Sequence, residues 1–175
     1  MHEVHFSPAA GRCIGRGIAC IPEGRKVFPK ITVRENLLMG VCRDAAGAKA
    51  EARLAGVYEV FPRLKEHVRQ LAGTMTGGEQ AMLSIGRGLM AAPKLLIVDE
   101  PSLGLSPLYV KSNFNVIRAI NEQSVTVLLV EQNVKQTLAI AHRGYVLSQG
   151  KVVAAGDANQ HRENLEVREA YFGRK

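Results

Sequence analysis

The chain has no tryptophan, and aromatic residues make up only 5% of its 175 residues. Proteins that bind single-stranded nucleic acid stack the bases on aromatic side chains, which this sequence offers only sparsely. The formal net charge is +7, but the basic residues are spread along the chain and form no stripe. We therefore expect a solvated basic surface and no nucleic-acid partner.

Cysteines and long apolar runs are also scarce. Cys13, Cys20 and Cys42 are odd in number and lack the paired spacing of a zinc site or a redox motif. The first residues show no apolar signal-peptide core, and the longest strongly apolar run, residues 125–130, is far too short to span a bilayer. These features predict a globular protein of a reducing compartment, which would serve a membrane only from the cytoplasmic side and through partners.

An apolar run that ends in two carboxylates is the first candidate site. Residues 95–98, LLIV, predict a parallel strand that is buried on both faces. Asp99 and Glu100 follow at its carboxyl end, where open α/β sheets place their ligands. An aspartate here can hold Mg²⁺, and the neighbouring glutamate can orient and deprotonate a water molecule. The alternative is that Asp99, Glu100 and Pro101 form a polar turn that closes a strand.

The second candidate site is the start of a helix upstream of that strand. Thr76, Gly77, Gly78 and Glu79 precede apolar residues at helical spacing, namely Met82, Ile85 and Leu89. The two glycines would leave backbone amides bare at the amino end of the helix, where the helix dipole and the Thr76 hydroxyl favour a phosphate. The alternative is an ordinary N-cap in which the glycines serve the turn.

The remaining pattern alternates strands and helices. Strands are predicted at residues 17–21 and 125–130, and a hairpin joins residues 145–147 to 152–154 around Gln149 and Gly150. Thr32 and Glu35 have the spacing of a capping box. Further helices are predicted from residue 45 to about 61, where Pro62 would end the helix, and over 64–71, 109–122, around 138–141 and 164–172.

Taken together, these motifs resemble the signature loop and the Walker B strand of ATP-binding cassette (ABC) ATPases. Residues 102–105, SLGL, are similar to the adjoining D-loop. From about residue 16 to residue 173 the chain is similar to the ATPase subunits of bacterial branched-chain amino acid importers. The resemblance implies an α/β P-loop NTPase fold of the ABC type, with a parallel sheet core and an inserted helical subdomain. It also implies ATP and Mg²⁺ as cofactors.

Two unusual positions point to that branch of the family. Glu23, six residues before Pro29, stands where most cassette ATPases have the glutamine of the Q-loop, and Gln132 replaces the usual switch histidine. A carboxylate at residue 23 could still bind Mg²⁺ or water, and the amide of Gln132 could donate to a γ-phosphate oxygen but could not shuttle a proton. The resemblance therefore assigns the base role mainly to Glu100. Without the resemblance, Glu23 would be interpreted as a solvated acidic residue of a loop and Gln132 as a polar residue at the end of a strand.

The sequence departs from the family in one major feature, because no G-x-x-x-x-G-K-[ST] motif occurs in these residues. Phosphate-loop ATPases use that motif, Walker A, to hold the phosphates. The chain therefore looks like the carboxyl-terminal two thirds of such an ATPase, and the Walker A strand would sit beside the Walker B strand. Its absence predicts an exposed apolar sheet edge and little ATP binding or hydrolysis by the isolated chain. Gly88 is a smaller departure, since alanine is expected there and a mid-helix glycine costs about 1 kcal/mol.

The resemblance predicts three regions. They are an N-terminal remnant with a strand and the Q-loop (1–30), a helical subdomain (31–76), and the signature helix, Walker B core and C-terminal region (77–175). Expected partners are a second ABC ATPase subunit in a head-to-tail dimer and transmembrane permease subunits. The expected location is cytoplasmic, peripheral on the inner face of the plasma membrane.

Two readings of function remain open. The first is the ATP-binding and ATP-hydrolysing subunit of an ABC importer for branched-chain amino acids, truncated and not competent alone. It would present Thr76, Gly77, Gly78 and Glu79 to a partner's ATP. The second is a non-catalytic interaction or regulatory module, or a broken-gene product, that retains the ABC ATPase core.

Overall fold

The structure is a computed structural model that describes residues 16–41 and 47–163. The chain divides into two compact units, one ending at Val130 and the other beginning at Glu131. The predictions for residues 1–15 and for a tail helix at 164–172 lie outside the described residues. The three-region division by function stays a prediction.

In the part of the first unit that the structure describes, three strands form a central parallel sheet. β1 (Ile18–Ile21), β2 (Leu95–Asp99) and β3 (Thr126–Val130) run in the order β1-β2-β3. The α/β class with a parallel core is thus confirmed. Because β2 pairs on both sides, the expectation that a phosphate-loop strand lies directly beside it is wrong. An added strand could join only at the outer edge of β1 or of β3.

The strands are less buried than their apolar sequences predict. In β2, Leu96 and Val98 are fully buried, whereas the alternate residues Leu95, Ile97 and Asp99 are partly exposed. In β3, Leu128 is 50% exposed and Val130 is 47% exposed. The prediction of burial on both faces is therefore wrong, because an apolar run indicates a strand but does not say how many layers cover it.

The described residues between β1 and β2 form four helices and a 3₁₀ turn. They are α1 (Val33–Leu38), α2 (Ala48–Val60), α3 (Pro62–Glu66), the 3₁₀ turn Ala72–Thr74, and α4 (Gly77–Leu89). The capping box predicted from Thr32 and Glu35 is confirmed, since the Glu35 amide donates to Thr32 Oγ1 at 3.2 Å and the Thr32 amide donates to Glu35 Oε2 at 2.7 Å. Within the described residues α2 begins at Ala48, three residues after the predicted start.

The predicted helix over residues 64–71 is wrong in most of its length. Pro62 does not simply end α2 but occupies the first turn of α3, where its missing N–H costs nothing. Beyond α3 the backbone pairs with the start of α1: Val33 donates to the Gln70 carbonyl at 3.0 Å and Arg34 donates to the Val68 carbonyl at 3.1 Å. Within this segment Gln70 donates to the His67 carbonyl at 2.9 Å, only three residues back, and Ala72 donates to the Ile31 carbonyl at 3.0 Å, so the α-helical bonding pattern is not continued.

Helix α4 packs both on the sheet and on the helical segment. A Cβ on Gly86 would lie 3.0 Å from Val57, and a Cβ on Gly88 would lie 3.1 Å from Ile21 and 3.2 Å from Leu96. Gly88 therefore allows a close approach of α4 to β1 and β2, which accounts for a glycine where the resemblance predicts alanine. Of the predicted apolar positions, Ile85 is buried, whereas Met82 and Leu89 are partly exposed.

Helix α5 (Pro107–Glu122) follows β2 and confirms the helix predicted over 109–122. Its buried apolar residues are Val110, Phe114, Ile117 and Ile120. Their spacing of three and four residues places them on one face of α5, and this face is buried within the first unit.

The second unit contains α6 (Val134–Ile140), β4 (Arg143–Ser148), β5 (Lys151–Asp157) and α7 (Ala158–Glu163). β4 and β5 form the predicted hairpin. Gln149 and Gly150 both have positive φ, at 50° and 75°, as a tight two-residue hairpin turn requires. No helix among the described residues is long and apolar enough to cross a membrane.

Candidate functional site

The carboxyl end of β2 brings the two predicted carboxylates to one cleft. Asp99 ends the strand, and Glu100 takes a left-handed backbone conformation with φ 47°. Its amide donates to the Val130 carbonyl of β3 at 2.9 Å. In a strand, successive side chains point to opposite faces of the sheet. The left-handed residue interrupts this pattern, and Asp99 and Glu100 line the same cleft. A left-handed residue other than glycine costs about 1–2 kcal/mol, which the surrounding contacts must offset.

The cleft is small and partly polar. It lies between the end of β1, the middle of α4 and the turn after β2, and it has room for about one water molecule. Ser84 also lines it, and the Ser84 hydroxyl is buried without a hydrogen-bond partner. A water molecule beside two carboxylates and this hydroxyl fits the space, whereas a nucleotide does not.

Asn113 of α5 holds the turn after β2. Its side chain is fully buried, and Nδ2 donates to the Pro101 carbonyl at 3.2 Å. The Oδ1 atom of the same side chain is buried without a partner. The turn that carries Glu100 is thus fixed by β3 on one side and by α5 on the other.

At the amino end of α4, Thr76 and Glu79 form a capping box. The Thr76 amide donates to Glu79 Oε2 at 2.9 Å, the Thr76 hydroxyl donates to the same oxygen at 2.8 Å, and the Glu79 amide donates to Thr76 Oγ1 at 3.4 Å. The alternative interpretation of an N-cap is therefore correct for these two side chains. Their contact with a phosphate stays a prediction.

The Glu79 carboxylate also faces two basic side chains. Oε1 lies 3.6 Å from Arg63 Nη2 and 3.9 Å from His67 Nε2, and the Glu79 side chain is only 12% exposed. Burial raises the pKa of this carboxyl, but the hydrogen bonds from Thr76 and the charges of His67 and Arg63 outweigh burial and leave the pKa below its ordinary value. The carboxylate thus stabilises the start of α4 in its ionised form.

The two glycines that follow Thr76 are covered by side chains from other elements. A Cβ on Gly78 would lie 2.2 Å from Tyr109 Cδ1 of α5, and a Cβ on Gly77 would lie 2.7 Å from Arg25 Nη1. Each glycine therefore makes room for a neighbouring side chain. Their amides still precede the first intrahelical bond, which Gln80 donates to the Thr76 carbonyl at 2.9 Å.

The segment 102–105 continues from the turn after β2. Leu103 donates to the Glu100 carbonyl and Leu105 donates to the Ser102 carbonyl, both at 3.2 Å. Gly104 has φ 66°, and its carbonyl accepts a hydrogen bond from Arg25 Nη2 at 3.2 Å. Arg25 therefore contacts both this segment and the start of α4.

One predicted site residue of the first unit is not brought into this arrangement. Glu23 is exposed and does not line the cleft, although Pro22, Gly24 and Arg25 do. Gln132 belongs to the second unit, where it is exposed and its carbonyl accepts from the Val134 amide at 2.9 Å. Their roles stay predictions.

Sequence reasoning missed four residues of the site: Arg25, Ser84, Tyr109 and Asn113. Three of them act through contacts distant in sequence, as between Arg25 and Gly104, 79 positions apart, whereas Ser84 lines the cleft from the middle of α4. The only local signal was the charged loop after Pro22, which has the composition of a solvated turn.

Comparison with known proteins places this geometry in context. A family model described as ABC transporter matches residues 3–103. The chain is 48% identical over 161 residues to the high-affinity branched-chain amino acid transport ATP-binding protein BraG of Pseudomonas aeruginosa, covering 90% of this chain and 67% of that protein. It is 31% identical over 161 residues to the lipopolysaccharide export system ATP-binding protein LptB of Escherichia coli, covering 90% of this chain and 66% of that protein. The chain thus spans about two thirds of the length of these relatives.

Solved structures share the fold. The crystal structure of an ATP-binding cassette of an ABC transporter in its ADP conformation matches with a TM-score of 0.79 at 23% identity, covering 94% of this chain and 71% of that chain. A dimeric ATP-binding cassette in a post-hydrolysis state, bound to ADP and Pi, matches with a TM-score of 0.71 at 19% identity, covering 88% and 68%. At these identities the likeness shows the fold alone, and it confirms the predicted P-loop NTPase fold of the ABC type.

Proposed function

This chain belongs to the ABC transporter family, and we propose that it acts in the ATP-binding subunit of an importer for branched-chain amino acids. The observation that carries this proposal is its 48% identity to a relative named for branched-chain amino acid transport. The lipopolysaccharide-export relative is 31% identical over the same length, which favours the amino acid substrate class. The proposed location is the inner face of the plasma membrane, against permease subunits.

The first proposed site serves the ATP of a partner subunit. The resemblance implies a head-to-tail dimer in which the start of α4 faces the nucleotide held by the other subunit's phosphate loop. The amides of Gly77 and Gly78, at the positive end of the helix dipole, are the proposed phosphate donors. Thr76 and Glu79 support this site chiefly through the capping box, which fixes the first turn of α4.

The second proposed site is the cleft beside β2, where Glu100 would act as the base toward a water molecule and Asp99 would hold Mg²⁺. The carboxylate oxygens of Asp99 suit this ion, because Mg²⁺ is commonly bound by one or two carboxylates, and water and phosphate oxygens complete its coordination. Among residues 16–41 and 47–163, no group of three or more His, Cys, Asp or Glu side chains could hold a metal by itself. Bound Mg²⁺ would neutralise phosphate charge. Glu23 and Gln132 remain candidate contributors to the metal and to the γ-phosphate, respectively.

The missing Walker A motif determines how the proposal can be tested. Since these 175 residues contain no phosphate loop, hydrolysis at the first site needs one supplied by a partner subunit. The chain is mixed with a full-length ABC ATPase whose own signature glycines are mutated, so that the partner alone is inactive. ATPase activity that appears only on mixing supports the proposal, and no activity at any mixing ratio contradicts it.

Two glycine variants refine this test. Gly77→Asp brings a carboxylate to the helix start and displaces only the flexible end of Arg25, so it should abolish the activity of the mixture while the chain stays folded. Gly56→Asp is the matched control, because a Cβ at Gly56 in α2 meets nothing within 4 Å. Equal ATPase activities of the two variants would show that the start of α4 does not face the nucleotide.

A second candidate function is a non-catalytic interaction module, which needs no phosphate loop among these 175 residues. Such a module would bind the partner subunit but add no ATPase activity in the mixture.

Substrate class is tested separately, by uptake of labelled leucine in cells whose own branched-chain ATP-binding subunits are replaced by this chain and its partner. Leucine uptake above that of the partner alone supports the importer.

A further inference from the structure

We propose that Arg25 is a positioning residue of the signature site, which ties segment 102–105 to the first turn of α4 so that a nucleotide held by the partner meets both as one surface. This inference rests on the proposed function, since it concerns the site offered to a partner's ATP. It adds to that site Arg25, which lies two positions after Glu23.

The backbone around Arg25 is held in an unusual conformation. Gly24, Arg25 and Lys26 have φ values of 82°, 65° and 43°, so three consecutive residues lie in the left-handed region. Residues other than glycine adopt this region only when surrounding contacts fix them, and such strain concentrates at functional sites. At Arg25 the conformation directs the side chain toward α4 and the segment after β2.

The guanidinium makes contact with two glycines of the candidate site. Nη2 donates to the Gly104 carbonyl at 3.2 Å, and a Cβ on Gly104 would lie 3.3 Å from the same nitrogen. A Cβ on Gly77 would lie 2.7 Å from Nη1, so the guanidinium lies directly against the first residue of α4. The rigid, planar guanidinium thus links segment 102–105 to the first turn of α4, and each of these segments has a glycine where it meets the guanidinium.

The Arg25 guanidinium lies against the amino end of α4, whose first turn also carries the Glu79 carboxylate. The amino end of a helix has a partial positive charge, which favours an anion such as a phosphate. A phosphate bound there would meet a guanidinium that already donates to the Gly104 carbonyl. Arg25 thus fixes segment 102–105 relative to the start of α4 whether or not a nucleotide is bound.

The hydrogen bond to Gly104 has a consequence that can be measured without a nucleotide. The Gly104 carbonyl and the Leu105 amide belong to one peptide plane, and that amide donates to the Ser102 carbonyl at 3.2 Å. The Arg25→Gln substitution removes the guanidinium that donates to this peptide plane. We therefore expect hydrogen exchange at the Leu105 amide to accelerate about 2- to 10-fold, which corresponds to the loss of one hydrogen bond. Lys26→Gln is the matched control, being an exposed neighbour with the same left-handed backbone. Unchanged exchange at Leu105 in Arg25→Gln overturns the proposal.

The second measurement is steady-state kinetics of the mixed dimer described above. For a positioning role, Arg25→Gln should lower kcat roughly 3- to 30-fold with little change in KM, because it affects an arrangement needed mainly in the transition state. A raised KM with unchanged kcat would make Arg25 a nucleotide ligand instead and would overturn the positioning role. If the unmodified chain gives no ATPase activity on mixing, the proposed function fails, while the exchange measurement still decides whether Arg25 anchors Gly104.

Discussion

Gly78→Ala tests whether the second signature glycine serves packing as well as phosphate binding. A Cβ at Gly78 would lie 2.2, 2.4 and 2.5 Å from Cδ1, Cγ and Cε1 of Tyr109. These are atoms in the body of the ring and not its flexible end. To restore an ordinary contact of 3.4 Å, the ring would have to shift by about 1.2 Å. Overpacking of this kind costs about 1–3 kcal/mol.

Alanine also has the higher helix propensity, which acts in the opposite direction. That gain is at most about 1 kcal/mol and is smaller in the first turn of a helix. We therefore expect a net loss of stability for Gly78→Ala, measured by urea unfolding of the 175-residue chain. Gly56→Ala is the control, since its Cβ meets nothing within 4 Å and the same substitution should stabilise α2 by about 1 kcal/mol.

A double-mutant cycle identifies the cause. With Tyr109→Ala in the background, the clash is absent and Gly78→Ala should be neutral or stabilising. The coupling between the two positions should therefore lie within about 0.5–3 kcal/mol, the range for residues in contact. If Gly78→Ala stabilises the chain as Gly56→Ala does, or if Tyr109→Ala leaves its effect unchanged, Tyr109 does not cover this glycine and the packing argument is wrong.

Three further predictions concern the same region. Thr76→Ala removes the N-cap of α4 and should cost about 1 kcal/mol in urea unfolding; an unchanged midpoint would contradict the capping box. The lowered pKa of Glu79 means that its stabilising effect is fully present above its ordinary pKa of 4.5 and is lost as the pH falls through the folded-state value. Glu79→Gln should therefore flatten the acid limb of the stability curve, and an unaltered limb would refute this. Gly40→Ala should be more damaging than Gly78→Ala, because its Cβ would lie 2.0 Å from the backbone carbonyl oxygen of Arg87, and soluble yield should fall first.

Features with a local cause were predictable from the sequence. The capping box at Thr32 needs only a threonine and a glutamate three residues apart, and the hairpin needs only Gln149 and Gly150 between two apolar runs. The left-handed turn at Glu100 could not be predicted in this way, because its amide is held by Val130 on a strand 30 residues later.

Features that depend on tertiary packing were missed. The helix predicted over 64–71 ends at Glu66, and the backbone of residues 68–72 instead bonds to residues 31–34, a pairing that no local pattern reports. The roles of Gly77 and Gly78 were likewise ambiguous, since a glycine in a sequence does not tell whether a phosphate, a guanidinium or a tyrosine ring occupies the space beside it. Only the three-dimensional contacts with Arg25 and Tyr109 separate these cases.

The position of Arg25 suggests how the two proposed sites of one subunit could influence each other. Arg25 lines the cleft that holds Asp99 and Glu100, and its guanidinium also reaches Gly104 and the start of α4. In a head-to-tail dimer the cleft would serve the subunit's own nucleotide, whereas the start of α4 would serve the partner's. A change in the cleft that moved Arg25 would alter the surface presented to the partner, through contacts that all lie within the first unit. The coupling would then be a property of this part of the chain and would not need the phosphate loop.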